Sequence, residues 1–142
     1  MSPFPEKIFY IRNKGFYLDI ETTKNPLNQY QVICSKEQNK STQLWFYDNK
    51  QQSIKNYQTK GFLTKKYYGW TPSKTNLLLQ TEHDYDIEIK PLSWKRISQY
   101  LSVDLDQHQY VLCRDINNNI ILQKKGKSNL LFDDEWEIIV SI

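Results

Sequence analysis

The sequence predicts an all-β chain folded as a β-trefoil, three four-stranded repeats about a pseudo-threefold axis, on two observations. First, Trp45, Trp94 and Trp136 each open a short strand-like run, at intervals of 49 and 42 residues in a chain of 142. A period near one third of the length marks an array of small units, each unable to bury its apolar face alone. Second, no segment of ten or more residues carries an apolar stripe at helical spacing, so the units must be built from strands.

The first repeat spans roughly residues 7–50. Lys7 to Arg12 reads as a strand that ends at Asn13-Lys14-Gly15, where the glycine supplies a positive φ. Phe16 to Glu21 follows, with Tyr17 or Leu18 inward according to register. A polar loop, Thr22 to Asn28, leads to the strand Tyr30 to Ser35, and a second turn leads to Gln43-Leu44-Trp45-Phe46-Tyr47. The second repeat, roughly 51–98, offers Ser53 to Tyr57, then Gly61-Phe62-Leu63 with Lys65 to Trp70, and then Asn76 to Gln80. The stretch Asp84 to Ile89 alternates strictly, with Tyr85, Ile87 and Ile89 on one face, and lengthens the hairpin before Trp94. The third, roughly 99–142, has strands at Tyr100 to Val103, Tyr110 to Cys113, Ile120 to Gln123 and from Trp136. Prolines 3, 5, 26, 72 and 91 all fall in loops or at strand edges, as the missing N–H requires. No linker interrupts the pattern, so residues 1–142 are expected to form a single domain.

Composition narrows the function. A net charge of +3 with interspersed signs does not suggest nucleic acid or an anionic membrane as partner. No apolar run approaches the ~20 residues that cross a bilayer, so no membrane insertion is expected. The N-terminal residues lack the apolar centre of a secretory signal, and Cys34 and Cys113 sit in apolar strand patterns suited to reduced thiols. A cytoplasmic protein is therefore expected. His83 and His108 lie in polar stretches without a neighbouring nucleophile motif, and metal-binding and phosphate-binding motifs are absent, so no enzyme is expected. Asp84, Asp86 and Glu88 share a strand face but lack the ligand loop that Ca²⁺ needs; neither metal nor cofactor is expected.

With the repeats aligned, the chain resembles the ricin B-type β-trefoil lectins, whose hallmark is a Gln-x-Trp repeat. Leu18-Asp19-Ile20 is similar to that family's Leu-Asp-Val strand. Gln31-Val32-Ile33 corresponds to its Gln-Leu-Trp segment, and Thr42-Gln43-Leu44-Trp45 to its Asn-Gln-Leu-Trp. Ile33 stands where the family has an aromatic platform, and Thr42 where it has an asparagine. The resemblance implies that Asp19, Gln31 and Gln43 contact a galactose-type sugar. A second resemblance, to the small cytosolic β-trefoil lectins of fungal fruiting bodies, places a glycan site at Gly69-Trp70 and around Leu92-Ser93-Trp94.

These resemblances imply a carbohydrate-binding protein, recognising glycans or glycoconjugates non-covalently, in defence. The main site is expected in repeat two, where Tyr68, Trp70 and Tyr85 supply aromatic faces and Asp84 fixes hydroxyls beside Ser93 and Trp94. Repeat one would hold a lesser site at Asp19, Gln31 and Gln43. The closing tryptophans are expected in the core, with Trp94 the one candidate for partial exposure. The rival reading is a protease inhibitor of the Kunitz or mushroom type acting through one exposed loop, Thr22–Asn28 with Lys24 or Thr71–Asn76 with Lys74, its partner then being a protease.

Overall fold

The computed structural model describes residues 4–21, 23, 29–36, 39–65, 77–80, 91–105, 107–125 and 133–141. Among the described residues there are twelve strands, in three sets of four. The first set is β1 (Phe9–Asn13), β2 (Phe16–Ile20), β3 (Gln29–Ser35) and β4 (Trp45–Asp48), with one 3₁₀ turn at Ser41–Gln43 before β4. The second is β5 (Ser53–Asn56), β6 (Phe62–Lys65), β7 (Leu77–Gln80) and β8 (Trp94–Ile97). The third is β9 (Tyr100–Leu105), β10 (His108–Arg114), β11 (Ile120–Lys124) and β12 (Glu137–Val140). His108, read from sequence as a loop residue, opens β10, because its backbone pairs with Leu105.

Every pairing is antiparallel, and the scheme repeats. Within a set, the first strand pairs with the second and the second with the third. The fourth strand pairs with the first strand of the next set: β4 with β5, β8 with β9, and β12 with β1; β4 also meets β1 at Phe9 and Trp45, and β3 pairs with β7 between the first two sets. The β12–β1 pairing joins the two ends of the chain and closes the cycle. The β1–β2 connection is the two-residue turn Lys14-Gly15, with φ of +45° and +87°. Positive φ at both positions matches the right-handed twist of the flanking strands and is least costly at glycine.

The core follows from this register. Ile11 faces Ile138, Ile54 faces Tyr47 and Leu101 faces Arg96, and those three aliphatic side chains are enclosed at corresponding places in the three sets. Leu18 is the inward residue of β2, while Tyr17, 7% exposed, lies edge-on to Tyr10 with ring centroids 5.6 Å apart. Trp45, Trp94 and Trp136 are 0%, 1% and 1% exposed and belong to one cluster with Phe9, Leu63 and Leu112. The expectation that Trp94 keeps an exposed face is therefore corrected: its ring lies in the core, as the other two do. Replacing such a residue by alanine costs on the order of 3–5 kcal/mol.

The indole N–H groups reveal a break in the symmetry. Trp45 Nε1 donates to the Leu18 carbonyl at 3.0 Å, and Trp136 Nε1 donates to the Leu112 carbonyl at 2.9 Å. The counterpart carbonyl in the second set, that of Leu63, accepts the Leu92 backbone N–H at 3.1 Å. Trp94 Nε1 is accordingly left without an acceptor among the described residues. The backbone nevertheless keeps step: Trp94 N–H donates to the Gln52 carbonyl and Trp136 N–H to the Gln99 carbonyl, each one residue before the first strand of the tryptophan's own set.

Candidate functional site

In the first repeat the second strand and the 3₁₀ turn are tied together by a buried polar pair. Asp19, near the end of β2, is 2% exposed, and its Oδ1 accepts the Ile20 backbone N–H at 2.8 Å. Its Oδ2 accepts Nε2 of Gln43 at 3.3 Å. Gln43 is wholly enclosed, and its Oε1 accepts the Lys40 backbone N–H at 3.4 Å. One glutamine side chain thus links the strand carboxylate to the segment leading into the turn. A buried carboxylate is tolerable because its oxygens are hydrogen-bonded.

Over this pair lies a cavity of about 580 Å³. Asp19 and Ile20 contribute from β2, with Glu21 and Thr23 beyond the strand end; Lys40, Ser41 and Thr42 form the facing wall. Ile33 completes the lining from β3, where it is the register partner of Asp19, so the two side chains share a face of the hairpin. The volume lies within the range of about 300–1,000 Å³ typical of small-molecule sites. Beside Ile33 the lining residues bring two carboxylates, one ammonium and three hydroxyls, which suits a ligand rich in hydroxyl groups.

The structure sorts the residues singled out from sequence. Asp19 lines the cavity. Gln43 does not; it lies beneath, orienting Asp19, because the 3₁₀ turn directs its side chain inward. Gln31 is half-buried on β3, its Nε2 donating to the Val32 carbonyl at 3.4 Å, and it lies outside the cavity lining. Trp94 offers no ring face to a ligand. Ser93 is exposed, and its Oγ donates to Gln52 Oε1 at 2.7 Å. Tyr68, Trp70, Asp84 and Tyr85 lie outside the described residues, as do Lys24 and Lys74 of the two candidate inhibitor loops. Glu21, Thr23, Lys40 and Ser41 were not foreseen: they sit in polar connecting segments with no periodicity to mark them.

The other repeats carry different chemistry at the matching positions. Leu18 and Leu112 hold corresponding indoles, so Asp19 corresponds to Cys113, and the second repeat has Thr64 after its enclosed Leu63. Two residues before each tryptophan, Gln43 corresponds to Leu92 and Asp134. Cys113 is buried against Val111 and Ile121. Burial pushes its thiol up to about 12, with the nearby Asp134 carboxylate adding to the effect. Cys34, half-buried with its Sγ 3.3 Å from the Asn118 carbonyl, is also raised, chiefly by burial. A smaller cavity of about 150 Å³ at Lys14, Gln99, Glu135, Trp136 and Glu137 has its lysine paired with Asp133 at 2.7 Å. Among the described residues no group of three or more His, Cys, Asp or Glu side chains is placed to hold a metal ion, and no helix is long and apolar enough to cross a membrane.

No protein-family model matches the sequence, and no curated protein matches it. Solved structures do match in shape. The β-trefoil lectin of the Vibrio vulnificus hemolysin/cytolysin, with N-acetyl-D-lactosamine bound, superposes with a TM-score of 0.71 at 14% identity, covering 96% of each chain. The Macrolepiota procera ricin B-like lectin in complex with lactose gives a TM-score of 0.66 at 13% identity, over 99% of this chain and all (100%) of that one. An earthworm lectin C-terminal domain mutant, in complex with 6'-sialyllactose, gives 0.62 at 18% identity, over 95% and 99% of the two chains. The fold is a β-trefoil. At these identities the likeness concerns the path of the β-trefoil backbone, and side-chain chemistry has to be argued from this chain's own residues.

Proposed function

We propose that this β-trefoil protein binds glycans non-covalently, through the cavity of its first repeat. The observation that carries the reading is the Asp19 carboxylate, held by the Ile20 N–H and the Gln43 amide at the base of a cavity large enough for a small saccharide. A carboxylate oxygen with one donor in place retains acceptor capacity for a sugar hydroxyl, and Ser41, Thr42 and Lys40 add polar groups opposite. Ile33, which shares the face of Asp19, would meet the C–H face of the ring. Sugars in the lactose-type lectin structures similar in fold support the same reading. It describes a binding protein rather than an enzyme, acting in the cytoplasm and in defence.

A broad glycan array tests this, with the wild-type protein, Asp19→Ala and Trp70→Ala side by side and a trypsin and papain inhibition assay on the same preparation. Binding to a coherent glycan set, lost in Asp19→Ala and kept in Trp70→Ala, is the expected result. Loss in Trp70→Ala alone, with an unchanged thermal midpoint, would move the site to repeat two. A blank array with stoichiometric protease inhibition would replace the lectin reading by the inhibitor one.

A further inference from the structure

We infer that the seam between the first and third repeats carries an oxyanion-binding site centred on Arg114, separate from the cavity over Asp19. Two turns build its frame. Asn13 and Phe16 are register partners across the Lys14-Gly15 turn. Facing them, Arg114 ends β10, and its backbone is fixed by two hydrogen bonds with that of Asp133, at 2.8 and 2.9 Å. The turn after it is held by the Asp115 carboxylate, which accepts the backbone N–H groups of Asn117 and Asn119 at 2.9 Å each.

Neutral groups hold the guanidinium in this frame. Its Nε donates to Asn13 Oδ1 and its Nη1 to Asn118 Oδ1, each at 2.7 Å, and Cζ lies 4.3 Å from the centroid of the Phe16 ring. Asn13 is 1% exposed and its Nδ2 donates to the Glu135 carbonyl, which turns Oδ1 towards the arginine. Two of the five guanidinium N–H donors are used in this way, and three are left for a ligand. The ammonium of the exposed Lys36 stands 5.2 Å from the centroid of the same ring. Nearby carboxylates are engaged elsewhere: Asp133 lies 2.7 Å from the Lys14 ammonium, and Asp115 holds its own turn. Among the described residues, neither Arg114 nor Lys36 has a carboxylate at ion-pair distance. A planar guanidinium stacked on a ring, with its orientation fixed and donors to spare, matches two oxygens of a sulfate, phosphate or carboxylate group. Lys36 adds a point charge, and an anion between the two cations relieves their mutual repulsion. The ligand is a small oxyanion, either free or carried on a saccharide.

The test is a titration of the ¹⁵N-labelled full chain with sodium sulfate, galactose 6-sulfate and galactose, balanced with sodium chloride and read by amide and arginine Nε–H shifts. Saturable shifts at Arg114 Nε–H and in residues 13–16, 34–36 and 114–119 with either sulfate, and none there with galactose, support the site. Tighter binding of galactose 6-sulfate than of sulfate then assigns the anion to a saccharide, and the reverse order assigns it to the free ion. Arg114→Gln should abolish these shifts, and Lys36→Gln should weaken binding about threefold, the worth of one exposed ion pair. Shifts that grow without saturation, or that spread equally over lysines elsewhere, overturn the site. So does unchanged affinity in Lys36→Gln, whether or not Arg114→Gln folds. The sodium sulfate arm contains no sugar, so its outcome stands apart from whether the chain binds glycans.

Discussion

Gln43→Leu is the most exacting perturbation of this molecule, because it writes the residue of repeat two into repeat one. The side chain is wholly enclosed, donates to Asp19 Oδ2 at 3.3 Å and accepts the Lys40 N–H at 3.4 Å. Leucine fills a similar volume but leaves both partners without their bond. Losing a hydrogen bond to a carboxylate costs about 1.5–3 kcal/mol and losing a neutral one about 1 kcal/mol. The extra apolar burial of leucine offsets roughly 1 kcal/mol of this. The net expectation is a loss of about 1.5–3 kcal/mol, or a fall of roughly 5–10 °C in midpoint for a domain of this size. Urea unfolding followed by tryptophan fluorescence measures it, with an unchanged m-value showing that the comparison is sound. Glycan affinity should fall at least about tenfold, since a reoriented Asp19 forfeits one hydrogen bond of about 1.4 kcal/mol. A stability change below about 0.5 kcal/mol would refute the reasoning, because it would mean that the buried pair is not holding the turn against the strand.

Three further outcomes are expected. Trp45→Phe and Trp136→Phe should each be about 1 kcal/mol more destabilising than Trp94→Phe, since only the first two strip a donor from a buried carbonyl; equal losses in denaturant unfolding would contradict the asymmetry. Asp48 is held below its ordinary 3.8 chiefly by the hydrogen bond from Lys55, 2.8 Å away. It therefore stabilises the fold above pH 3.8, and that contribution fades as the pH falls below this value towards the lower folded pKa. Asp48→Asn should flatten that part of the acid limb, and an unaltered profile would count against the pair. With its thiol raised to about 12, Cys113 should resist a disulfide-exchange reagent at pH 8 until the protein unfolds. Labelling of both cysteines in the native state would show the third repeat to be open.

How much of this was legible beforehand depends on how local each signal is. Gly15 in a two-residue turn and the alternating strand runs report on neighbours in the chain, and the structure places twelve strands in the expected sets. Asp19 and Gln43 both stood out by residue type, yet the role of Gln43 did not. A glutamine before Trp45 can point to solvent or inward, and only the 3₁₀ turn at Ser41–Gln43 decides between them. Lys40, Ser41 and Thr23 gave no warning at all, because a cavity wall is assembled from segments that meet only after the strands have paired.

The sequence by itself determined the threefold architecture, because a tryptophan that must leave water recurs at nearly constant spacing and demands a core position in each unit. Tertiary structure alone decided that a cavity opens over Asp19 and Gln43, that Trp94 keeps no exposed face, and that its indole lacks, among the described residues, the acceptor its two counterparts have. The physical reason is that apolar spacing is written along the chain, whereas a hydrogen bond such as Gln43 to Asp19 joins residues 24 positions apart whose orientation depends on the packing of everything between them.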